Sequence, residues 1–352
     1  MKIFVTGANG QLGYDVVQEL AQRQARLDVR NVSGIDVSCE NQNTEEIVVI
    51  GSDVKEDSLF AKECSTKQCK VRNAECKVHN VKCIMYNAKE ETAVENSNRF
   101  YYVQLDITDR DAVLSTIREI KPDAVIHCAA WTAVDLAEDN EEKVRAINVA
   151  GTQNIADACK EIDAKMLYIS TDYVFDGQGT EPWKADCKDF APLNVYGQSK
   201  LDGELAVVNT LEKYFVVRIA WVFGANGNNF VKTMLKVGKT HDEVRVVDDQ
   251  IGTPTYTPDL AKLLADMIAT DKYGFYHATN EGGYISWYDF AREIYRQAGY
   301  NTKVIPVTTA EYGLSKAKRP FNSRLDKSRL EENGFERLPD WKDALKRYLQ
   351  NI

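Results

Sequence analysis

A glycine-rich loop near the amino terminus is the feature that most constrains the fold of this chain. Residues 2–6 form a short apolar segment that runs directly into Gly7-Ala8-Asn9-Gly10-Gln11-Leu12-Gly13, and a helical pattern of apolar residues follows. A strand, a glycine-rich turn and a helix in this order are typical of dinucleotide-binding sheets. The glycines let the backbone approach a pyrophosphate, and the helix amino terminus attracts its negative charge. A glycine-rich turn without a ligand is the alternative interpretation.

Apolar segments continue to alternate with helical patterns as far as residue 220. Strands are predicted at 32–37, 100–105, 124–128, 167–169 and 215–220. This alternation predicts a parallel sheet that is covered by helices on both faces. The predicted fold class is therefore α/β, with a Rossmann-type doubly wound parallel sheet and a smaller mixed α/β carboxyl-terminal substrate domain.

The pattern changes beyond residue 225, where helices and strands no longer alternate regularly. We therefore predict an NAD(P)-binding Rossmann domain at 1–225 and a substrate-binding domain at 226–352. The loop at 176–195 is broken by glycine and proline residues. We expect it to contribute to the cleft between the two domains.

A polar stretch from 38 to about 98 interrupts the first domain and contains five of the eight cysteines. Two short apolar segments within it, 47–50 and 83–86, could form a hairpin. Four thiols and one histidine are close in sequence: Cys64, Cys69, Cys76, His79 and Cys83. A metal site is conceivable, but the spacing is wider than in the usual zinc knuckles. We favour a solvated insertion of unknown function with incidental thiols, and we predict no metal.

Charge and hydropathy exclude several classes of partner. The net charge of -9 argues against nucleic acid, because phosphate binding needs a basic surface. The chain has no apolar run of about 18 residues, so we expect no transmembrane helix. The apolar run at the amino terminus is too short for a signal peptide. We therefore expect a cytoplasmic protein with reduced thiols and no membrane partner.

Small and acidic residues follow the predicted strands at the edge where ligands bind in such sheets. They are Asp36, Asp106, Ala129-Ala130 and Thr171. A carboxylate at Asp36 could hydrogen-bond the adenosine ribose 2′-hydroxyl and repel a 2′-phosphate, which favours NADH over NADPH. The alternative for Asp36 is a turn residue at the end of a strand.

Tyr196 and Lys200 are four residues apart in a predicted helix and therefore share one face. A nearby ammonium lowers the pKa of a phenol from its usual value of about 10. Such a phenol can exchange a proton with a substrate oxygen near neutral pH. This spacing also occurs by chance on solvated helices, so its meaning depends on the surrounding motifs.

These motifs together resemble the extended short-chain dehydrogenase/reductase family. The resemblance covers nearly the whole chain except 38–98 and rests on six stretches: 7–13, 128–135, 170–177, 192–200, 249–255 and 319–323. It implies reduction by NADH or NADPH of the 4-keto group of dTDP-4-dehydro-L-rhamnose, which gives dTDP-L-rhamnose for cell-wall polysaccharide. It also implies a dTDP-sugar partner, and a homodimer is an open expectation.

The family's catalytic trio carries over as Thr171, Tyr196 and Lys200. By this resemblance Tyr196 donates a proton to the ketone oxygen and Thr171 hydrogen-bonds that oxygen. Lys200 would lower the pKa of Tyr196 and bind the nicotinamide ribose. The hydride itself comes from the cofactor.

The predicted binding residues form two sets. The cofactor set is Gly7, Asn9, Gly10, Gln11, Leu12, Gly13, Asp36, Asp106, Ile107, Ala129, Ala130, Thr132, Tyr196 and Lys200. The substrate set is Thr171, Asp172, Tyr173, Trp221, Asn229 and Arg319. A core aromatic is the alternative for Trp221, and a surface ion pair is the alternative for Arg319. Some family members hold magnesium between subunits, but the matching helix position here is Asp15 rather than Glu.

Two other functions remain open at this stage. A related 4-ketoreductase would give another epimer, such as a 6-deoxy-L-talose nucleotide, because the outcome depends on which sugar face meets the nicotinamide. A non-catalytic regulatory subunit, resembling that of methionine adenosyltransferase, would keep the same fold. The intact Thr171, Tyr196 and Lys200 argue against the regulatory interpretation.

Overall fold

A computed structural model describes residues 1–32, 48–53, 84–87 and 99–352. Its strands are β1 (Lys2–Thr6), β2 (Val48–Asp53), β3 (Ile84–Asn87), β4 (Arg99–Gln104), β5 (Ala124–His127), β6 (Lys165–Thr171), β7 (Tyr214–Ile219), β8 (Val222–Phe223), β9 (Glu243–Val247), β10 (Ile251–Gly252), β11 (Thr255–Tyr256), β12 (Gly274–His277), β13 (Asn280–Glu281), β14 (Ile285–Ser286), β15 (Lys303–Val307) and β16 (Leu338–Asp340).

Helices connect most of these strands. They are α1 (Gln11–Val32), α2 (Arg110–Ile120), α3 (Val134–Ala137), α4 (Glu141–Arg145), α5 (Thr152–Glu161), α6 (Val195–Thr210), α7 (Phe230–Gly238), α8 (Thr257–Ile268), α9 (Trp287–Ala298), α10 (Thr309–Tyr312), α11 (Ser328–Glu332) and α12 (Trp341–Gln350). A π-helical turn at Ala146–Gly151 joins α4 to α5. No helix within the described ranges combines the length and apolarity that a bilayer span requires.

The main sheet has the strand order β12-β7-β6-β5-β1-β2-β4-β3. Neighbouring strands pair in parallel, except that β3 runs antiparallel to β4 at one edge. The order runs outward from β1 in both directions, so the chain switches direction beside β1. This is the doubly wound arrangement that the sequence predicts, and it brings the carboxyl ends of β1 and β5 together.

Apolar side chains on both faces of β1 hold the helices against the sheet. Ile3 and Val5 are buried in a cluster with residues of α1 and α8. Phe4 is buried in a second cluster with residues of α2 and α5. Successive strand residues point to opposite faces, so one short apolar strand serves both cores.

The carboxyl-terminal part has an apolar core of its own, formed by α7, α9 and α12 around Phe290 and Trp341. Two of its elements belong to the main sheet instead. β12 pairs with β7, and α8 packs in the same cluster as α1. The main sheet therefore includes a strand from beyond residue 225. The division into a cofactor-binding and a substrate-binding domain at that residue stays a prediction.

The second strand is not where the sequence predicts it. Val32 is the last residue of α1, and residues 33–37, including Asp36, lie outside the described residues. β2 occupies the position beside β1, with pairs from Lys2–Val48 to Thr6–Ser52. The strand prediction was wrong at Val32, and β2 rather than 32–37 lies beside β1, because two short segments contain β-branched residues near an aspartate and pattern alone does not rank them.

The predicted insertion at 38–98 therefore contains one central strand, β2, and one edge strand, β3. They coincide with the apolar segments at 47–50 and 83–86. The hairpin prediction was wrong, because both strands pair with β4 rather than with each other. The thiols and histidine of this stretch, Cys64, Cys69, Cys76, Cys83 and His79, lie outside the described residues.

Candidate active site

The glycine-rich loop turns sharply at the carboxyl end of β1. Gly7 has φ +68°, and a Cβ there would lie 2.7 Å from the backbone nitrogen of Ala129. A Cβ on Gly13 would lie 2.1 Å from the carbonyl oxygen of Gly7, so both positions require glycine. α1 begins at Gln11, directly after the loop. The loop therefore has the backbone cradle and helix amino terminus that a dinucleotide pyrophosphate needs.

The end of β5 contacts this loop. The backbone N–H of Cys128 donates to the carbonyl of Thr6 at 3.2 Å, and that of Ala129 donates to Thr6 Oγ1 at 3.3 Å. Ala130 is also half-buried, while Thr132 is exposed. The structure thus brings the small residues after β5 beside Gly7, as the sequence predicts.

The residues predicted for adenine follow β4. Asp106 is exposed, and its carboxylate accepts hydrogen bonds from the backbone N–H and the hydroxyl of Thr108, at 2.9 and 2.8 Å. Ile107 is buried, and Gly151 packs so closely that a Cβ there would lie 2.8 Å from the Ile107 side chain. Asp106 shapes a turn at the rim, and Ile107 anchors that turn to the π-helical segment.

The described residues place the Asp53 carboxylate against the glycine loop, while the predicted Asp36 lies outside them. It is the last residue of β2, and its Oδ2 accepts the backbone N–H of Asn9 at 3.2 Å. Asn9 Nδ2 in turn donates to the hydroxyl of Tyr102 at 3.0 Å. An acidic group of the described residues therefore lies beside the glycine loop, and the prediction for Asp36 stays a prediction.

The helix that carries Tyr196 is fixed at its first turn by three contacts. Asn194 caps α6 by accepting the backbone N–H of Gly197 at 2.8 Å, and its Nδ2 donates to the carbonyl of Lys318 at 2.8 Å. Glu138 accepts the backbone N–H of Val195 at 2.9 Å. A Cβ on Gly197 would lie 2.4 Å from the carbonyl oxygen of Tyr173, so the first turn of α6 packs directly against the turn that follows β6.

Tyr196 and Lys200 share the buried face of α6, but they do not interact as predicted. Lys200 Nζ donates to the carbonyl of Ile169 at 2.8 Å and lies 4.0 Å from the ring centroid of Tyr168. Burial lowers the pKa of Lys200 to about 7, while Glu204 acts in the opposite direction. Burial raises the pKa of Tyr196, although the Thr171 hydroxyl lowers it in part. The expected lowering of the Tyr196 pKa by Lys200 was wrong, because the ammonium turns toward β6.

Thr171 and Asp172 form a hydrogen-bonded pair at the end of β6. The Thr171 hydroxyl donates to Asp172 Oδ1 at 2.9 Å and accepts the backbone N–H of Tyr173 at 3.3 Å. Burial raises the pKa of Asp172 to about 6, although hydrogen bonds from Ser323 and Thr171 lower it in part. The Thr171 hydroxyl therefore faces both Asp172 and the Tyr196 phenol, with one proton to share between them.

Arg319 lies at the solvent-exposed entrance of the site, here called the mouth. It connects the turn after β6 with the start of α3. Its Nη1 donates to the Tyr173 hydroxyl at 3.1 Å, and its Nη2 donates to Asp135 Oδ2 at 2.5 Å. The Tyr173 ring meets the Tyr196 ring edge-on, with centroids 5.5 Å apart. Burial raises the pKa of Tyr173 to about 12 despite the neighbouring guanidinium. The ion-pair alternative for Arg319 is thus present, with Asp135 as the partner.

Trp221 follows β7 in a strained conformation. Its φ is +51°, which bulky side chains rarely adopt. The indole stacks on Trp287 with centroids 3.8 Å apart, and a Cβ on Gly252 would lie 2.9 Å from its Cε2. Asn229, by contrast, caps α7 by accepting the backbone N–H of Lys232 at 3.0 Å. Its amide donates to the carbonyl of Gly224 at 2.8 Å, so it is already engaged.

Comparison with known proteins decides the family. A family model described as the RmlD substrate binding domain matches residues 76–352, which is more than half of the chain. A dTDP-4-dehydrorhamnose reductase from Streptomyces griseus is 43% identical over 247 residues, covering 68% of this chain and 81% of that protein. The chain belongs to the RmlD family.

Solved structures of RmlD-family proteins share the whole fold. A dTDP-4-dehydrorhamnose reductase from Clostridium acetobutylicum superposes with a TM-score of 0.75 at 37% identity, covering 100% of this chain and 99% of that one. One from Bacillus anthracis, in complex with NADP, gives 0.74 at 34% identity with coverage of 100% and 99%. The Rossmann-type fold and the prediction of a nicotinamide-dependent oxidoreductase are thereby confirmed.

Sequence reasoning missed Asn148, which lies in the π-helical turn of this RmlD-family chain. Its Oδ1 accepts the backbone N–H of Trp131 at 2.7 Å, and its Nδ2 donates to the Trp131 carbonyl at 3.1 Å and to Ser199 Oγ at 2.9 Å. Asn148 therefore ties the segment after β5 to α6. The signal was a buried asparagine within a helical pattern, which is unfavourable unless its amide has a specific task.

Proposed function

We propose that this chain reduces the 4-keto group of dTDP-4-dehydro-L-rhamnose with NADH or NADPH, giving dTDP-L-rhamnose. One observation carries the proposal. Thr171, Tyr196 and Lys200 gather at the carboxyl end of β6, one strand from the place where Ala129 contacts the glycine loop. A proton donor therefore lies beside the edge where a dinucleotide binds in such sheets. The names of RmlD-family relatives supply the substrate.

Bound NADH or NADPH supplies the hydride, and the chain binds and orients it. The loop at 7–13 would hold the pyrophosphate through backbone N–H groups, since it leaves no room for a Cβ. Asp53 takes the role proposed for Asp36 at the ribose 2′-hydroxyl, which favours NADH. The remaining assignments stay predictions: Asp106, Ile107, Ala130 and Thr132.

Tyr196 would donate the proton that the ketone oxygen requires. Burial raises its pKa, so the phenol keeps its proton until negative charge develops on that oxygen. Lys200, whose ammonium donates to the Ile169 carbonyl, would use its remaining N–H groups to bind the nicotinamide ribose hydroxyls and so orient the cofactor beside Tyr196. Thr171, which lies beside both Asp172 and the Tyr196 phenol, would orient Tyr196 and hydrogen-bond the ketone oxygen.

The substrate would enter between the loop at 176–195 and the part beyond residue 225. Trp221 offers an aromatic face for the sugar, and Arg319 offers a guanidinium for the diphosphate. Asp172 and Tyr173 would contact the sugar from the end of β6. Since Asn229 is engaged in capping α7, we assign the diphosphate to Arg319 rather than to Asn229. A homodimer, a cytoplasmic location and a role in cell-wall polysaccharide stay predictions.

The test is a decrease in absorbance of the reduced nicotinamide. Purified protein is mixed with dTDP-4-dehydro-L-rhamnose, generated in place from dTDP-glucose by its dehydratase and epimerase, and with NADH or NADPH in parallel. We expect oxidation of the cofactor and dTDP-L-rhamnose as the product. A 6-deoxy-L-talose nucleotide would instead favour the epimeric reductase. A flat trace from folded protein that binds the cofactor would favour the regulatory interpretation.

Tyr196→Phe tests the proton donor, with Tyr214→Phe as the matched control. Tyr214 is the first residue of β7 and lies at the end of the sheet opposite to the candidate site. We expect Tyr196→Phe to lower kcat by about 10²- to 10⁴-fold and to leave cofactor affinity unchanged, since a general acid contributes that much. Turnover near the parental value in Tyr196→Phe would contradict the assignment.

A further inference from the structure

A buried histidine that the proposed chemistry does not use lies between the glycine loop and the catalytic helix. His127 is the last residue of β5 and is 1% exposed. Its Nδ1 lies 2.6 Å from Thr6 Oγ1, and its Nε2 lies 3.1 Å from Thr152 Oγ1. Both threonines are fully buried. The imidazole thus bridges the end of β1 to the start of α5.

The neighbouring hydrogen bonds fix which nitrogen of His127 carries the proton. The Thr152 hydroxyl donates to the carbonyl of Asn148 at 2.8 Å, so toward His127 it accepts. Nε2 is therefore the donor and Nδ1 the acceptor. The Thr6 hydroxyl donates to Nδ1, and Thr6 Oγ1 accepts the backbone N–H of Ala129 at 3.3 Å. Each group in this series therefore donates a hydrogen bond to the next, from the backbone N–H of Ala129 to the carbonyl of Asn148 in the π-helical turn.

The side chain of Asn148 extends this series of hydrogen bonds to α6, the helix that carries Tyr196. Asn148 Nδ2 donates to Ser199 Oγ at 2.9 Å, and the Ser199 hydroxyl donates to the carbonyl of Tyr196 at 2.8 Å. A second contact leads to Lys200. The Tyr168 ring stacks on His127 at 5.8 Å between centroids, and Lys200 Nζ lies over that ring.

We propose that His127 is a positioning residue. As a neutral imidazole protonated on Nε2, it fixes the end of the sheet where the cofactor would bind relative to Tyr196 and Lys200. Burial and the nearby Lys200 charge lower the pKa of His127 to about 3, which agrees with a neutral ring. Removing the run of hydrogen bonds would misplace the reacting groups rather than the cofactor. The inference rests on the proposed roles of Tyr196 and Lys200.

The first test is nitrogen NMR of the imidazole side chains, with the His127 signal assigned by its loss in His127→Gln. We expect the Nε2–H tautomer and no titration between about pH 5 and 8. An Nδ1–H tautomer, or a midpoint in that range, would overturn the proposal. This measurement uses no substrate, so it is independent of the proposed reaction.

The second test compares Thr152→Val with Thr152→Ser, which keeps the hydroxyl. We expect Thr152→Val to lower kcat about tenfold while KM and cofactor affinity stay within about twofold, and Thr152→Ser to restore most of kcat. Thr279→Val, which removes a buried hydroxyl elsewhere, is the control. Equal kcat in the Val and Ser variants, or a parallel loss of cofactor affinity, would overturn the positioning role. If the parent enzyme does not turn over this sugar, the proposed function fails while the tautomer result stands.

Discussion

Two ion pairs flank the candidate active site, and they differ in burial and in what they connect. Glu204, one turn after Lys200, pairs with Arg218 on β7 through two hydrogen bonds of 2.9 and 2.8 Å, and both side chains are 1% exposed. Arg319 and Asp135 at the mouth are 19% and 44% exposed. The first pair joins the catalytic helix to the sheet, and the second joins two surface segments.

The surroundings of the two pairs explain what each is suited to do. Arg218 is enclosed by the rings of Phe175, Phe190 and Phe275, at 4.8 to 5.2 Å from their centroids. Because these rings exclude water, the Arg218 guanidinium cannot replace Glu204 with water as its partner. Arg319 is reached by solvent, so under the proposed function a substrate diphosphate would replace Asp135 as its partner. The proposal thus assigns the chemistry to the buried side and an exchange of partners to the mouth.

The largest expected effect comes from breaking the buried pair. Glu204→Gln leaves the Arg218 charge buried without a counter-ion, and we expect the free energy of unfolding to fall by about 3–5 kcal/mol. Asp135→Asn at the mouth is the matched control, with an expected change below about 1 kcal/mol. Urea unfolding of both variants measures the difference. Similar losses in the two variants would show that burial does not separate the pairs.

Lys200 gives the buried region a pH signature. Its pKa in the folded chain is lowered to about 7 from 10.5, so the unfolded chain binds more protons between those values. Stability of the cofactor-free protein should therefore rise as pH increases through this window. We expect Lys200→Met to lose that rise, as followed by urea unfolding at several pH values. An unchanged slope in Lys200→Met would assign the rise to other groups.

The mouth should respond in substrate affinity and little in stability. Arg319→Lys keeps the charge but loses the planar pair of donors that matches a diphosphate. We expect KM for the dTDP-sugar to rise about tenfold, the loss of roughly one charge-assisted hydrogen bond, with kcat within about threefold. Steady-state kinetics with Lys318→Arg as an exposed basic control measures this effect. A fall in kcat with unchanged KM would place Arg319 in the chemistry instead.

The two regions also differ in how far the sequence predicted them. The glycine loop and the segments at the ends of β5 and β6 were predicted correctly, because backbone conformation and strand ends leave short local patterns. The charge effect of Lys200 on Tyr196 was wrong, because the partner of a flexible ammonium depends on which carbonyl lies nearby. The contacts of Asn148 and Asp135 join distant segments, and no local pattern records them.

The second strand of the main sheet shows the same limit of prediction from local sequence patterns. Both 32–37 and β2 contain β-branched residues near an aspartate, so the sequence pattern alone favours neither segment as the second strand. The register of β2 with β1 is a long-range pairing, set by the sheet rather than by the segment alone. Asp36 lies outside the described residues, and we propose the carboxylate role for Asp53 at the end of β2 instead.

The smallest expected effect tests that correction. Asp53→Asn removes the negative charge beside the glycine loop, which would otherwise repel a 2′-phosphate. A surface charge interaction of about 1 kcal/mol corresponds to roughly a fivefold change, so we expect the ratio of NADPH to NADH affinity to rise by that factor. Asp36→Asn, the residue first predicted, is the matched control and should leave the ratio unchanged. Titration of cofactor binding by fluorescence measures both variants. A shift in Asp36→Asn and none in Asp53→Asn would restore the original assignment, even though β2 holds the place beside β1.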